Sequence, residues 1–472
     1  MDYWELREAV KRIIPRRSAL ASLKKATSLV NEKGRKKNYQ QFSIVTSDME
    51  QKLRLLKKDQ INSFLEISLR AAHCPMPFNM DVWDRYAPGA PGGIIGCPLG
   101  CIYCFSDLAK ASLYSSFFDV NSIGYRHCNP DYFKREMDKA MRFRNEPSKA
   151  KSDIQKAFAI GVPVRLGIRF EDFCAMEAKK GIALEMLRYL ADAKYDVMIN
   201  TKSDLLREDR YLKVLSSNRS AVHITMISND ETLLRKLEPG APSFKDRLES
   251  AKALVKAGVR VVARIEPFMV FINDERDKVD EYIGQIKEAG IEHLTLDTYS
   301  YSAGAVGLRR NFSAIGIDFE RMYTLMSDCQ WLGSLLLGKF MQYLRSYDLK
   351  CSTFDFGQVP ENDDFNCCQV GDWFKGLSFG NTTMAIRFIA SKSGSPVTWE
   401  MYEQHVLANG GWLSERLRLE VMEAWCGVGN QAYMPWWGQG ITPIGISPGG
   451  RPIFVYNKKV DHREELFKEM IG

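Results

Sequence analysis

The stretch Gly96-Cys97-Pro98-Leu99-Gly100-Cys101-Ile102-Tyr103-Cys104-Phe105 puts three cysteines within eight residues, spaced C-x3-C-x2-C. A loop this short, opened by Gly96 and Gly100, can turn three sulfurs toward one point. Thiolates so arranged suit an iron–sulfur cluster or zinc. Three is the informative number, because a cubane held by four cysteines is closed whereas one held by three leaves an iron able to bind something else. A structural zinc would need a fourth ligand, for which His127 and Cys128 are the candidates.

Beyond this loop, short β-branched or apolar runs alternate with helical patterns, which predicts parallel βα units. Strands are expected near Ile94-Ile95, Val162 to Ile168, Asp196 to Ile199, Ala221 to Met226, Val259 to Ile265 and His293 to Leu296. Six such runs predict an α/β fold, a partial (β/α)6 TIM-like barrel. Helices are clearest at Ala183 to Ala193, Phe244 to Ala257 and Glu275 to Ala289, with Gly258 and Gly290 stopping the last two. Chemistry in such a barrel sits where the strands end. The residues there are Gly167-Ile168-Arg169-Phe170-Glu171-Asp172-Phe173-Cys174, Asn200-Thr201-Lys202-Ser203, Thr225-Met226-Ile227-Ser228, Arg264-Ile265-Glu266-Pro267 and Asp297-Thr298-Tyr299-Ser300-Tyr301.

A C-x3-C-x2-C loop with an aromatic, Tyr103, before its last cysteine resembles the signature of the radical S-adenosylmethionine (SAM) superfamily. Thr201-Lys202-Ser203, then Arg235-Lys236-Leu237-Glu238-Pro239-Gly240-Ala241-Pro242-Ser243 with Arg247-Leu248, then Glu266-Pro267 and Ile272-Asn273-Asp274, resemble successive motifs of the spore photoproduct lyase-like branch, also described as DNA repair photolyase-like. The resemblance covers roughly residues 70 to 300. It implies a 4Fe-4S cluster on Cys97, Cys101 and Cys104, and SAM on its open iron with Tyr103 beside the adenine. Lys202 and Thr225 would lie on the bound SAM, Glu266 joins them as a cofactor-binding candidate, and Glu238 would anchor a helix or loop beneath the site. Reductive cleavage of SAM, by electrons from a flavodoxin or ferredoxin, would give a 5′-deoxyadenosyl radical that takes hydrogen from a substrate.

In that family a cysteine beyond the loop, helped by tyrosines, returns hydrogen to the product radical. No position here matches it securely. Cys128 and Cys174 are the candidates, and Cys174 is preferred because it follows a strand end; Tyr299 and Tyr301 are the candidate tyrosines, with core or rim packing as their other reading.

At 472 residues and 45% hydrophobic, the chain is long enough for more than one core. The expected divisions are a basic N-terminal helical arm at 1–70, the barrel at 71–348, and a small cysteine- and aromatic-rich α+β domain at 349–472. The stretch from Cys74 through Asp81 and the Gly/Pro-rich run from Ala87 to Gly93 read as turns, and Asp318 to Tyr347 as one long helix closing the barrel. Cys351, Cys367, Cys368 and Cys426 are enough for a second metal site, although no C-x2-C pair occurs among them and packed thiols are the alternative. A terminal hairpin is expected about Ser447-Pro448-Gly449-Gly450.

Eleven cysteines and a start, Met1-Asp2-Tyr3-Trp4-Glu5, without a charged-then-apolar leader predict reduced thiols and a cytoplasmic location. The most apolar segment, Trp331 to Leu337, is too short to cross a bilayer. A net charge of +7, densest among Lys11, Arg12, Arg16, Arg17, Lys24, Lys25 and Lys33 to Lys37, suits a polyanionic partner. Three functions compete: a radical SAM enzyme that repairs or modifies a nucleic-acid or nucleotide base, a radical SAM peptide- or protein-modifying enzyme with an auxiliary cluster, and a zinc-bearing nucleic-acid-binding protein.

Overall fold

The computed structural model describes residues 1–14, 60–61, 66–67, 78–86, 97–104, 124–144, 146–151, 155, 158–159, 161–298, 305–327, 329–353, 369–370, 373, 389–390, 396–398, 400–401, 404, 441–446, 452–456 and 463–471. The strands are Gln60–Ile61 (β1), Glu66–Ile67 (β2), Phe78–Met80 (β3), Trp83–Tyr86 (β4), Gly124–Cys128 (β5), Val164–Leu166 (β6), Val197–Thr201 (β7), Ser220–Thr225 (β8), Arg260–Phe268 (β9), His293–Thr298 (β10), Lys350–Ser352 (β11), Ile441–Ile446 (β12) and Pro452–Tyr456 (β13). The helices are Tyr3–Ile13 (α1), Pro130–Met141 (α2), Ala175–Lys180 (α3), Ile182–Asp192 (α4), Asp209–Ser216 (α5), Glu231–Leu237 (α6), Phe244–Lys256 (α7), Arg276–Glu288 (α8), Ala305–Ala314 (α9), Glu320–Ser327 (α10), Gln330–Arg345 (α11) and Arg463–Ile471 (α12).

Eight strands form the main sheet in the order β11-β10-β9-β8-β7-β6-β3-β2. From β6 to β11 each strand is parallel to the next, β3 adds parallel to β6, and β2 closes that edge antiparallel. Helices cross between consecutive strands, so the fold is α/β, a partial TIM-like barrel. The smaller sheets are β1-β5-β4 and the antiparallel hairpin β12-β13, which is the expected terminal hairpin.

The two faces of the main sheet differ in kind. Val222, Ile224, Val261, Ala263, Ile265, Leu294 and Leu296 belong to the apolar core. Their alternate neighbours are His223, Thr225, Arg264, His293 and Thr295, and none of these joins that core. In-register pairs point the same way in a parallel ladder, so Thr225, Arg264, Thr295 and Ser352 form one polar row across four strands. The outer face meets helices, and the inner face is built for polar contacts.

Local chemistry sets the helix ends. Ser243 Oγ accepts from the Asp246 amide at 3.1 Å to start α7, and Gly258, at φ +78, ends it beyond Ala257. Asp230 does the same for α6, accepting from the amides of Thr232 and Leu233 at 2.9 and 3.1 Å.

The later strands and the three clearest helices fall where the sequence puts them; two features differ and one is not described. The expected first strand, Ile94-Ile95, lies outside the described residues. Phe78–Met80, read as a turn for its prolines, is instead the strand beside β6, pairing Asn79 with Arg165 and Met80 with Leu166. The expected long helix is two, α10 and α11, with Cys329 at φ −138 and ψ 44 capping the second. No described helix is long and apolar enough to cross a membrane.

Candidate active site

The three-cysteine loop lies against the turn that follows α6. Ile102 N donates to Leu237 O at 3.0 Å, and Gly240 N donates to Leu99 O at 2.9 Å. Within the loop Cys104 N donates to Cys101 O at 3.0 Å, and Gly100 takes φ +59. Contact at Gly240 is so close that a Cβ there would meet Leu99 O at 2.8 Å and Pro98 O at 2.9 Å. From α9, Asn311 Nδ2 donates to Ile102 O at 3.3 Å.

One aromatic side chain ties the loop to the barrel. Tyr103, buried, donates its hydroxyl to Glu238, whose other oxygen accepts from Arg247. Arg247, also buried, donates to Pro242 O and Thr225 O, both at 2.9 Å. Glu238 thus joins the loop, the start of α7 and the carboxyl end of β8, which is the anchoring expected of it. Such a pair has lost its hydration and holds only because each polar atom has a partner.

Lys202 places its ammonium 5.6 Å from the centre of the Tyr103 ring. Burial works against its charge, but Cys101, Glu238 and Cys104 nearby outweigh this and raise its pKa. Burial likewise pushes the Cys97 thiol up, and the Cys101 thiol up to about 12. The fold therefore gathers three thiols on one loop with a lysine above it, at the ends of β7 and β8. Among the described residues no three or more His, Cys, Asp or Glu side chains surround a point as ligands of one metal ion would. In a cubane the cysteines bind different irons and stand farther apart. The donor set, three thiols and no carboxylate, fits an iron–sulfur cluster.

Glu171, one of the strand-end residues expected to carry chemistry, instead braces the neighbouring loop. It accepts from Thr201 Oγ1 at 2.6 Å, Lys202 N at 2.7 Å and Phe173 N at 3.1 Å. Asp172 accepts from Val82 N, Trp83 N and Gly167 N at 2.6, 3.1 and 2.9 Å. Acidic residues after a strand can be read as catalytic, but here both organise backbone. The only sequence signal of this is their position after a glycine-containing strand end.

Cys174 lines a cavity of about 240 Å³ together with Leu99, Glu171, Ser203, Gly240 and Pro242. Burial pushes its thiol up to about 11, which keeps it protonated near neutral pH. Thr225 is buried at the end of β8, and Glu266 pairs with Arg264 on β9. Tyr299, Tyr301, Cys367, Cys368 and Cys426, the basic cluster from Arg16 to Lys37 and the aromatics Trp412, Trp425, Trp436 and Trp437 lie outside the described residues. Cys351 is buried on β11. Cys128 and His127 sit on β5, where the His127 ring meets Cys128 O at 2.8 Å.

Comparison with known proteins gives partial likenesses. No protein-family model matches the chain. Uncharacterized proteins of Mycobacterium bovis and Mycobacterium tuberculosis are 23% identical over 236 residues, which cover 50% of this chain and 64% of theirs. The chain thus spans a little under two thirds of the curated relatives it matches. Among solved structures, a tyrosine-to-phenylalanine variant of spore photoproduct lyase overlaps 62% of this chain and 80% of its own at 13% identity and TM-score 0.43. Spore photoproduct lyase complexed with dinucleoside spore photoproduct covers 54% and 65% at 14% identity and TM-score 0.37. SuiB of Streptococcus suis bound to S-adenosylmethionine covers 47% and 43% at 12% identity and TM-score 0.30.

Proposed function

We propose that this protein is a radical SAM enzyme acting on a nucleic-acid or nucleotide base, with Cys97, Cys101 and Cys104 holding a 4Fe-4S cluster. The observation that carries the reading is the three-thiol loop seated over the strand ends beneath Lys202 and locked there through Tyr103, Glu238 and Arg247. When bound, the cluster and SAM would supply a carbon-centred radical able to take hydrogen from a substrate. The protein's own part is positional. Tyr103, Lys202, Thr225 and Glu266 would form the bed for SAM, with the buried Lys202 ammonium as the cation available to it. The Glu238–Arg247 pair fixes the height of the loop above β8, and Glu171 fixes the backbone that presents Lys202. Cys174, kept as a neutral thiol, is the candidate hydrogen donor to the product, with Tyr299 and Tyr301 as its partners. A flavodoxin or ferredoxin would supply electrons in a reducing cytoplasm.

The base is preferred on the net charge of +7 and on the resemblance to the spore photoproduct lyase-like motifs. The basic residues of the arm at 1–70 would meet the polyanion. A peptide substrate would be favoured by an auxiliary cluster on the later cysteines. Anaerobic purification tests the reading: about four irons per chain, with SAM cleaved after reduction and iron lost in the Cys101→Ala variant, is the expected result. About eight irons would favour the peptide-modifying alternative, and a colourless protein holding zinc would sink both. Deuterium passing from labelled oligonucleotides into 5′-deoxyadenosine would establish the base, and its absence across oligonucleotides would remove it.

A further inference from the structure

On the inner face of β9, Arg264 and Glu266 stand two residues apart and form an ion pair, their side chains 18% and 12% exposed. Ala263 and Ile265 between and beside them point into the apolar core. Arg264 is in register with Thr225 of β8 and with Thr295 of β10, and Thr295 with Ser352 of β11. His293 meets Ser352 Oγ at 2.6 Å and completes this polar wall. Glu266 Oε1 is buried in it and receives no hydrogen bond from the protein. Two strands away on the same face, Asn200 Oδ1 is also buried without a donor, its residue 8% exposed.

A buried acceptor without a donor is costly unless a ligand or water fills it. Beside Glu266 Oε1 lies a guanidinium, a fork of N–H donors. Acceptor and donor are therefore presented side by side. We propose that the Arg264–Glu266 couple reads the edge of a heterocyclic base in which an acceptor, a carbonyl oxygen or a ring nitrogen, adjoins an N–H, the cyclic amide or amidine edge of pyrimidines and purines. The ligand N–H donates to Glu266 Oε1, and its carbonyl oxygen or ring nitrogen accepts from Arg264. A peptide main chain does not fit, because a planar trans amide turns its N–H and C=O to opposite sides. Two sources carry such an edge: the adenine of SAM and the base of a substrate. The inference rests on the radical SAM reading and adds the chemistry of recognition to it.

Equilibrium binding to the anaerobically purified full chain tests it, with SAM as one probe and a labelled octanucleotide of thymidine and deoxyguanosine as the other. Glu266→Gln keeps the shape and removes the charge, so the affinity for one probe is expected to fall about tenfold. A fall for SAM alone assigns the couple to the adenine; a fall for the oligonucleotide alone assigns it to a substrate base. Blocking the edge on the ligand needs no variant. SAM methylated twice at N6, or an octanucleotide methylated at thymine N3 and guanine N1, should bind the native protein about tenfold more weakly and Glu266→Gln no worse than its unmethylated form. If SAM binds and is cleaved while neither the variant nor methylation changes either affinity, this inference alone is overturned. If the native protein holds no iron and binds no SAM, the radical SAM reading falls and takes this inference with it.

Discussion

Gly240 shows how one residue can set the height of a loop. Its backbone donates to Leu99 O at 2.9 Å, and an added Cβ would stand 2.8 Å from that same oxygen. Neither side can yield cheaply, because both are backbone and the loop is also tied by Tyr103 to Glu238. Gly240→Ala is therefore expected to cost about 1–3 kcal/mol, the range for forced overpacking. Its more telling effect would be on the cluster: the secondary structure should persist in circular dichroism while the iron retained after anaerobic reconstitution falls well below that of the native chain. Native iron content in Gly240→Ala would show that the loop finds its cysteine geometry without this turn. Nothing in Pro239-Gly240-Ala241-Pro242 alone reveals the requirement. A glycine between prolines reads as a turn, and the loop it touches lies far back in the sequence.

Among elements, α1 belongs to the barrel more closely than its place in an expected arm suggests. A capping box of Asp2 and Glu5 starts it, and Tyr3, Leu6 and Val10 are buried. Arg7 donates to both oxygens of Asp274, at 2.7 and 3.0 Å, and Tyr3 donates to the same carboxylate. Asp274 is fully buried and also accepts from Phe271 N at 2.6 Å, so α1 clamps the loop that follows β9 and Glu266. Arg7→Met would leave that charge short of its main counterion, a change worth about 3–5 kcal/mol. Urea unfolding should show the loss in Arg7→Met, and the double variant with Asp274→Asn should lose clearly less than the sum of the two. Additive losses would mean that the two side chains do not act as a pair. This contact was hidden because its partners are 267 residues apart and nothing local to either one pairs them. The strands β6 to β10 were legible for the opposite reason, since a run such as Ala221 to Thr225 carries its own burial pattern. At three residues beside prolines, β3 carries too little pattern to be told from a turn. The cluster loop was legible because its chemistry is local. The bracing role of Glu171 and the inner-face pairing of Arg264 with Thr225 emerge only once the strands are aligned.

At the scale of the whole molecule, the N-terminal helix, the long helix α11 and the last helix α12 converge on one carboxylate. Glu464 accepts from the Met1 ammonium at 2.9 Å, from Lys339 of α11 at 2.6 Å and from Lys468 of α12 at 2.9 Å. Burial alone would raise its pKa, but the three cations overcome this and bring it down to about 2. The sign follows directly. An unfolded glutamate titrates at about 4.3, so between that value and about 2 the unfolded chain holds a proton that the folded chain does not. The contact therefore stabilises the fold fully above about pH 5, and its contribution drains away as the pH falls toward 2. Glu464→Gln removes the charge at every pH. The melting temperature of the native chain should exceed that of Glu464→Gln by a constant amount from pH 8 down to about 5, and the gap should then narrow steadily with further acidification. A gap that stays the same across that acid range would show that the three cations do not hold this carboxylate ionised, and that α1, α11 and α12 are joined by their apolar contacts alone.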